Sequence, residues 1–122
     1  MPSRNRVLLV DDNHELVQAA AMRLRAAGYD TLRAYDGQQG VASAVSQRPD
    51  AILLDVQMPV KDGLTALAEL QASDDTRSIP IVMLSASIVD EQAALQRGAR
   101  YFLKKPYESQ NLLKALANVM HN

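Results

Sequence analysis

The chain reads VLLVDD at residues 7–12 and AILLD at residues 51–55, two apolar runs that each end in aspartate. Short, wholly apolar runs are typical of strands buried on both faces of a parallel sheet. If these strands are neighbours, the carboxylates of Asp11, Asp12 and Asp55 meet at one edge of the sheet. Like charges about 4 Å apart repel by roughly 4 kcal/mol per pair at an effective dielectric near 20, so the cluster favours a bound cation. An all-oxygen ligand set indicates a hard ion such as Mg²⁺.

Three further segments have the length and composition of strands. Residues 79–84 and 101–103 are apolar, whereas residues 30–35 alternate and would be less buried. Segments with helical spacing follow each strand. Five repeats of strand then helix, joined by short loops, predict an α/β fold in which helices cover both faces of a parallel sheet.

Capping signals bound the predicted helices. The first is expected over about 14–27, with Asn13 as N-cap and Gly28 just past its end. Leu16 in this helix and Val45 in the second are expected to face the core. The remaining helices are predicted to follow Asp36-Gly37 and Asp62-Gly63 and to be capped by Asp90 and Ser109.

Composition narrows the class of protein. The 122 residues are 48% hydrophobic and 22% charged, the balance of one compact domain, and we expect a single domain over 1–122. The net charge of −1 and the lack of charge blocks argue against nucleic acid as a partner of this segment, and no apolar stretch is long enough to span a membrane. With no cysteine and no apolar leader, the sequence predicts a cytoplasmic location.

Two other polar groups follow predicted strands. The run IVML ends in Ser85, and the run YFL is followed by Lys104, Lys105 and Pro106. In open parallel sheets ligands bind beyond the carboxyl ends of the strands. A hydroxyl there can donate to a phosphoryl oxygen and an ammonium can neutralise one. A serine or a lysine at such a position alone is commonly structural or solvated. The set of an acid pair, a lone acid, a hydroxyl and a lysine, each at the end of a different strand, is the specific signal.

These residues and their order resemble the receiver domains of two-component response regulators. The matching motifs are VLLVDDN at 7–13, PDAILLDVQMP at 49–59, PIVMLSA at 80–86 and GARYFLKKPY at 98–107. The resemblance implies a flavodoxin-like doubly wound (βα)5 fold, a three-layer sandwich with strand order 2-1-3-4-5.

The resemblance also implies roles for individual residues. Asp55 matches the phosphoacceptor, and Lys105 matches the residue that contacts the phosphoryl group. The Lys105-Pro106 peptide bond is expected to be cis. The implied Mg²⁺ ligands are Asp12, Asp55 and the backbone carbonyl of Gln57, with Asp11 completing the cluster.

The implied function is that of a switch. A sensor histidine kinase or phosphotransfer protein would phosphorylate Asp55, and the chain would catalyse only its own phosphorylation and dephosphorylation. Ser85 would then turn toward the phosphoryl group and Phe102 into the space behind it, although plain core packing is an alternative for Phe102. The face of the fourth helix, fifth strand and fifth helix would contact an output domain or protein, or form a homodimer.

Three other functions fit the sequence less well. Phosphatases of the haloacid-dehalogenase type carry Asp-x-Asp after the first strand, whereas Asp11 and Asp12 are adjacent. A flavodoxin-like cofactor binder would need a phosphate-binding loop there, and two carboxylates would repel the phosphate. A vestigial interaction module would lack a key group, and none is missing.

Overall fold

The computed structural model describes residues 5–120; residues 1–4 and 121–122, which the expected domain over 1–122 includes, lie outside the described part. Strands and helices alternate along this part of the chain. The strands are β1 (Arg6–Val10), β2 (Asp30–Ala34), β3 (Ala51–Asp55), β4 (Ile81–Ser85) and β5 (Tyr101–Lys104). The helices are α1 (His14–Ala26), α2 (Gly37–Gln47), α3 (Gly63–Ala72), α4 (Val89–Gln96) and α5 (Ser109–Met120).

The five strands form one parallel sheet in the order β2-β1-β3-β4-β5, as the resemblance implied. Val10, the last residue of β1, pairs with Ala34 of β2 on one side and Leu54 of β3 on the other. The second and third strands of the chain therefore lie on opposite sides of β1, where the strand order changes direction. A crevice opens beyond the carboxyl ends of the strands at such a point, and Asp11, Asp12 and Asp55 lie there.

Two buried clusters, one on each face of the sheet, give the molecule its three layers. Alternate residues of each central strand enter opposite clusters, as the pleat requires: Leu9 and Leu53 face α1 and α5, whereas Leu8 and Leu54 face α2, α3 and α4. These buried strands are the wholly apolar runs from which the sheet was predicted. No helix among residues 5–120 is long and apolar enough to cross a membrane.

Four local predictions differ from the structure. Leu16 is 45% exposed beside α5, and Val45 is 42% exposed because α2 contacts the sheet through smaller residues. Asp90 does not cap α4: Ile88 is the N-cap residue, and the Asp90 carboxylate accepts a hydrogen bond from Ser85 instead. Ser109 is the first residue of α5, where the carbonyl of Glu108 accepts the first backbone hydrogen bonds.

Candidate functional site

Three carboxylates meet beyond β1 and β3, and we call them the acid cluster: Asp11, Asp12 and Asp55. Each offers an oxygen within 4.8 Å of the other two. Asp11 and Asp55 are 7% and 5% exposed, whereas Asp12 is exposed to solvent. The structure thus brings together the three acids that the sequence placed at one edge of the sheet.

The ammonium of Lys105 lies between the two buried acids. Its Nζ atom is 2.8 Å from Oδ2 of Asp11 and 2.7 Å from Oδ1 of Asp55. The other oxygen of Asp11, Oδ1, accepts the backbone N–H of Asn13 at 3.0 Å. Lys105 therefore neutralises part of the charge that the cluster concentrates, and the peptide bond Lys105-Pro106 that follows β5 is cis, as expected.

The protonation properties of the site follow from this arrangement. Burial raises the pKa of the Asp55 carboxyl to about 6, with the charges of Asp11 and Asp12 adding to the rise and Lys105 opposing it. Burial acts to lower the pKa of Lys105, but hydrogen bonds to Asp11 and Asp55 outweigh it and the pKa is raised. Lys105 is therefore charged at neutral pH, whereas ionising Asp55 costs free energy in the folded protein.

Ser85, the last residue of β4, is 2% exposed and brings a hydroxyl to the same edge. Its Oγ donates to Oδ2 of Asp90 at 2.7 Å and accepts the backbone N–H of Ser87 at 3.0 Å. Its backbone carbonyl accepts the N–H of Lys105 at 2.8 Å, which ties the end of β4 to the residue after β5. The hydroxyl predicted from the sequence is in place and engaged with α4.

The acid cluster, Lys105 and Ser85 line one cleft of about 190 Å³. Gln57 reaches it from the loop between β3 and α3. Phe102 lies on β5 outside the cleft, partly buried against the cluster under α2, α3 and α4. The residues that line the cleft are Asp11, Asp12, Asn13, Leu16, Asp55, Gln57, Ser85, Ala86 and Lys105.

Two residues contribute to the site in ways that the sequence does not predict. Gly63 is predicted to precede the third helix; in the structure its N–H donates to the Val56 carbonyl at 2.7 Å, and a Cβ at this position would overlap the carbonyl oxygen of Asp55. Asp90 was predicted as a helix cap. The spacing of Asp62-Gly63 after Asp55 was the available signal for the first; no local signal distinguishes a capping aspartate from one that binds a distant serine.

The donor set suits a hard divalent cation. Every side chain of the acid cluster offers oxygen, and no cysteine or histidine lines the cleft within the described residues. Asp12 is exposed on the solvent side of the cluster, which leaves room for the water ligands that Mg²⁺ retains. The residues present therefore fit Mg²⁺.

Comparison with known proteins points to a single family. The response regulator receiver domain family model matches residues 7–117. The transcriptional regulatory protein PrrA of Mycobacterium tuberculosis is 40% identical over 104 residues, which cover 84% of this chain and 44% of PrrA. The chain thus spans less than half the length of that relative. Protein PilH of Pseudomonas aeruginosa is 32% identical over 117 residues, covering 94% of this chain and 97% of PilH.

One similar solved structure contains a bound magnesium ion. The receiver domain of the sensor histidine kinase PA1611 from Pseudomonas aeruginosa PAO1, determined with a magnesium ion coordinated in its active-site cleft, superimposes with a TM-score of 0.91. The two are 35% identical, and the match covers 98% of this chain and all of that one. Receiver domains are signalling modules rather than metabolic enzymes. The motifs, the sheet order and the acid cluster agree with the family match, and this chain belongs to the response regulator receiver domain family.

Proposed function

We propose that Asp55 accepts a phosphoryl group from a phosphohistidine on a sensor histidine kinase or phosphotransfer protein. The observation that carries this proposal is the position of Lys105, whose ammonium binds Oδ1 of Asp55. One carboxylate oxygen is thereby held and charge-compensated, while Oδ2 remains available to attack phosphorus. The new bond joins Oδ2 to phosphorus as the phosphorus–nitrogen bond breaks, and the departing imidazole takes up a proton.

Magnesium would be held by Asp12, Asp55 and the backbone carbonyl of Gln57, with Asp11 completing the set, and when bound it would supply positive charge to the transferring oxygens. Lys105 contributes the complementary positive charge from the protein side. In phosphoryl transfer the protein mainly positions and neutralises, which matches an acid cluster with one embedded ammonium. We infer that the same groups catalyse transfer onto Asp55 and, with water as attacking group, its removal.

The response would pass from Ser85 to Phe102. A phosphoryl group adds acceptor oxygens beside the Ser85 hydroxyl, which would turn to donate to them. Met83, two residues before Ser85 on the same face of β4, pairs with Phe102 of β5. Space vacated behind Ser85 would therefore lie on the face of the sheet that Phe102 shares. Movement of Phe102 would reshape the α4-β5-α5 face toward an output domain or protein, or a second copy of the chain.

We further propose that residues 1–122 act as one receiver domain in the cytoplasm, where ATP-dependent kinases act. Neither nucleic acid nor membrane is a proposed partner of this segment. PrrA, its relative, is a transcriptional regulator by name, and an output of that kind would belong to another domain.

The proposal is tested by incubation with acetyl phosphate and Mg²⁺, followed by intact mass. Wild type should gain one phosphoryl group, which hydroxylamine should release because it is an acyl phosphate. Asp55→Asn should gain none, and Asp74→Asn, which alters an exposed aspartate on the far side of α3, should behave as wild type. Equal uptake by Asp55→Asn and wild type would disprove the assignment. Light scattering with and without acetyl phosphate tests the homodimer.

A further inference from the structure

The single proton of the Ser85 hydroxyl is already donated before any phosphoryl group arrives. It donates to Oδ2 of Asp90 at 2.7 Å and accepts the N–H of Ser87 at 3.0 Å. A serine hydroxyl has one proton and can make one such donation at a time. A bond to the phosphoryl group and a bond to Asp90 therefore exclude each other.

We propose that Asp90 is a positioning residue that holds the Ser85 hydroxyl toward α4 and competes with the phosphoryl group for its proton. This inference rests on the proposed function, since it assigns Ser85 as the group that contacts the phosphoryl oxygens. It adds a residue that the receiver motifs in this sequence do not include.

The surroundings of this hydrogen bond allow it to break when another acceptor competes for the proton. The bond is charge-assisted and only partly buried, so it is strong yet reaches solvent when broken. The backbone of Ser85 is held by the N–H of Lys105, so a turn of the side chain breaks only hydrogen bonds of its hydroxyl, to Asp90 and Ser87. Breaking the bond needs no movement of β4.

The same bond gives α4 a reason to respond. Asp90 lies in the first turn of α4, and the N-cap residue Ile88 makes no side-chain capping bond. The link to Ser85 therefore ties this helix start directly to the end of β4, in addition to the longer contact in which the N–H of Val89 donates to Oγ of Ser87 at 3.3 Å. When Ser85 turns to the phosphoryl group, Asp90 is released and the first turn of α4 loses its direct side-chain link to β4.

The test measures affinity for Mg²⁺-beryllofluoride, which binds an aspartate carboxylate in the geometry of a phosphoryl group, by isothermal titration calorimetry on the full chain. Asp90→Ala removes the competitor, and we expect it to bind about 5- to 20-fold more tightly than wild type. Asp90→Asn keeps an acceptor oxygen without the charge and should stay within about threefold of wild type. Glu91→Ala removes a neighbouring carboxylate and should match wild type.

A double-mutant cycle separates hydrogen-bond competition from simple charge repulsion. In a Ser85→Ala background, Asp90→Ala should no longer change the affinity, because there is no hydroxyl to release. An equal gain from Asp90→Asn and Asp90→Ala, or a gain that persists without Ser85, would overturn the proposal. Urea unfolding of each variant checks that the fold is retained.

Beryllofluoride binding by wild type distinguishes failure of the proposed function from failure of the role of Asp90. If wild type does not bind beryllofluoride, the proposed phosphoacceptor function fails and this inference with it. If wild type binds and Asp90→Ala binds equally well, only the role of Asp90 is disproved.

Discussion

The Nζ atom of Lys105 lies 2.7 Å from Oδ1 of Asp55, although Asp55 ends β3 and Lys105 follows β5, two strands that β4 separates. The side chains of both are largely buried, at 20% and 7% exposure. Lys105 also binds Asp11, so a single ammonium balances the two buried acids of the cluster. This pairing makes the stability of the fold and the chemistry of the site depend on the same three residues.

Replacing Lys105 with methionine should destabilise the protein. The buried acids lose their counter-charge, and we expect the free energy of unfolding at pH 7 without Mg²⁺ to fall by about 1–3 kcal/mol. Added Mg²⁺ should recover part of the loss. Urea unfolding measures both effects, with Lys104→Met, at an exposed neighbour, as the matched control. Equal stability of the two variants would contradict the electrostatic role of Lys105.

Asp55→Asn should stabilise the protein at neutral pH. The folded pKa of Asp55, about 6, lies above its unfolded value, so ionising this carboxyl costs more in the folded state. Its stabilising contribution is complete below the unfolded pKa and is lost as the pH rises through about 6. After discounting for solvent at the mouth of the cleft, we expect the variant to be about 1–2 kcal/mol more stable at pH 7.

The pH profile of that difference provides the check. Urea unfolding in Mg²⁺-free buffer should show wild type and Asp55→Asn converging toward pH 4 and diverging between pH values of about 5 and 7. A constant difference across this range would mean that the pKa of Asp55 is not raised.

Magnesium should stabilise the wild type through the acid cluster. Saturating Mg²⁺ should raise the free energy of unfolding by about 1–3 kcal/mol, because the ion binds the folded state alone. Asp12→Asn should lose most of this gain while keeping its stability without metal, since Asp12 is exposed. Glu15→Gln, an exposed acid in the first turn of α1, is the control and should retain it. Thermal melts with and without Mg²⁺ measure the gain in each variant. If Asp12→Asn and Glu15→Gln gain equally, Asp12 is not a magnesium ligand.

Val60→Gly should stabilise the loop after Asp55. Val60 has φ of 68°, and the N–H of Lys61 donates across it to the Pro59 carbonyl at 2.7 Å, a tight γ-turn that disfavours a β-branched residue. We expect a gain of about 0.5–1 kcal/mol after the entropy cost of glycine. Val45→Gly, in the last turn of α2, should instead lose about 0.5 kcal/mol, because glycine has a lower helix propensity than valine. A loss at both sites in chemical denaturation would contradict the strain at Val60.

Local patterns carried much of the architecture. Residues 7–10 and 51–54 are apolar because both faces of their strands are covered, so burial could be predicted from composition alone. The start of α1 after Asn13 was predictable because an N-cap is a contact within four residues, and its side chain does accept the N–H of Leu16. The convergence of Asp11, Asp12 and Asp55 followed from parallel strands alone.

Contacts between distant residues were beyond such patterns. Leu16 has the spacing of a core residue but is exposed. The helical period could not predict this, because it does not show which neighbouring element covers a given face of the helix. The role of Asp90 depends on Ser85 lying within hydrogen-bond distance, and the crowding at Gly63 depends on the path of the backbone after Asp55. Periodicity and capping are properties of a few adjacent residues. The sequence alone therefore determined the strands, the helices and the sheet edge at which the three aspartates lie. Folding decided which charges pair and which hydroxyl is already held, since those distances exist only once the strands are side by side.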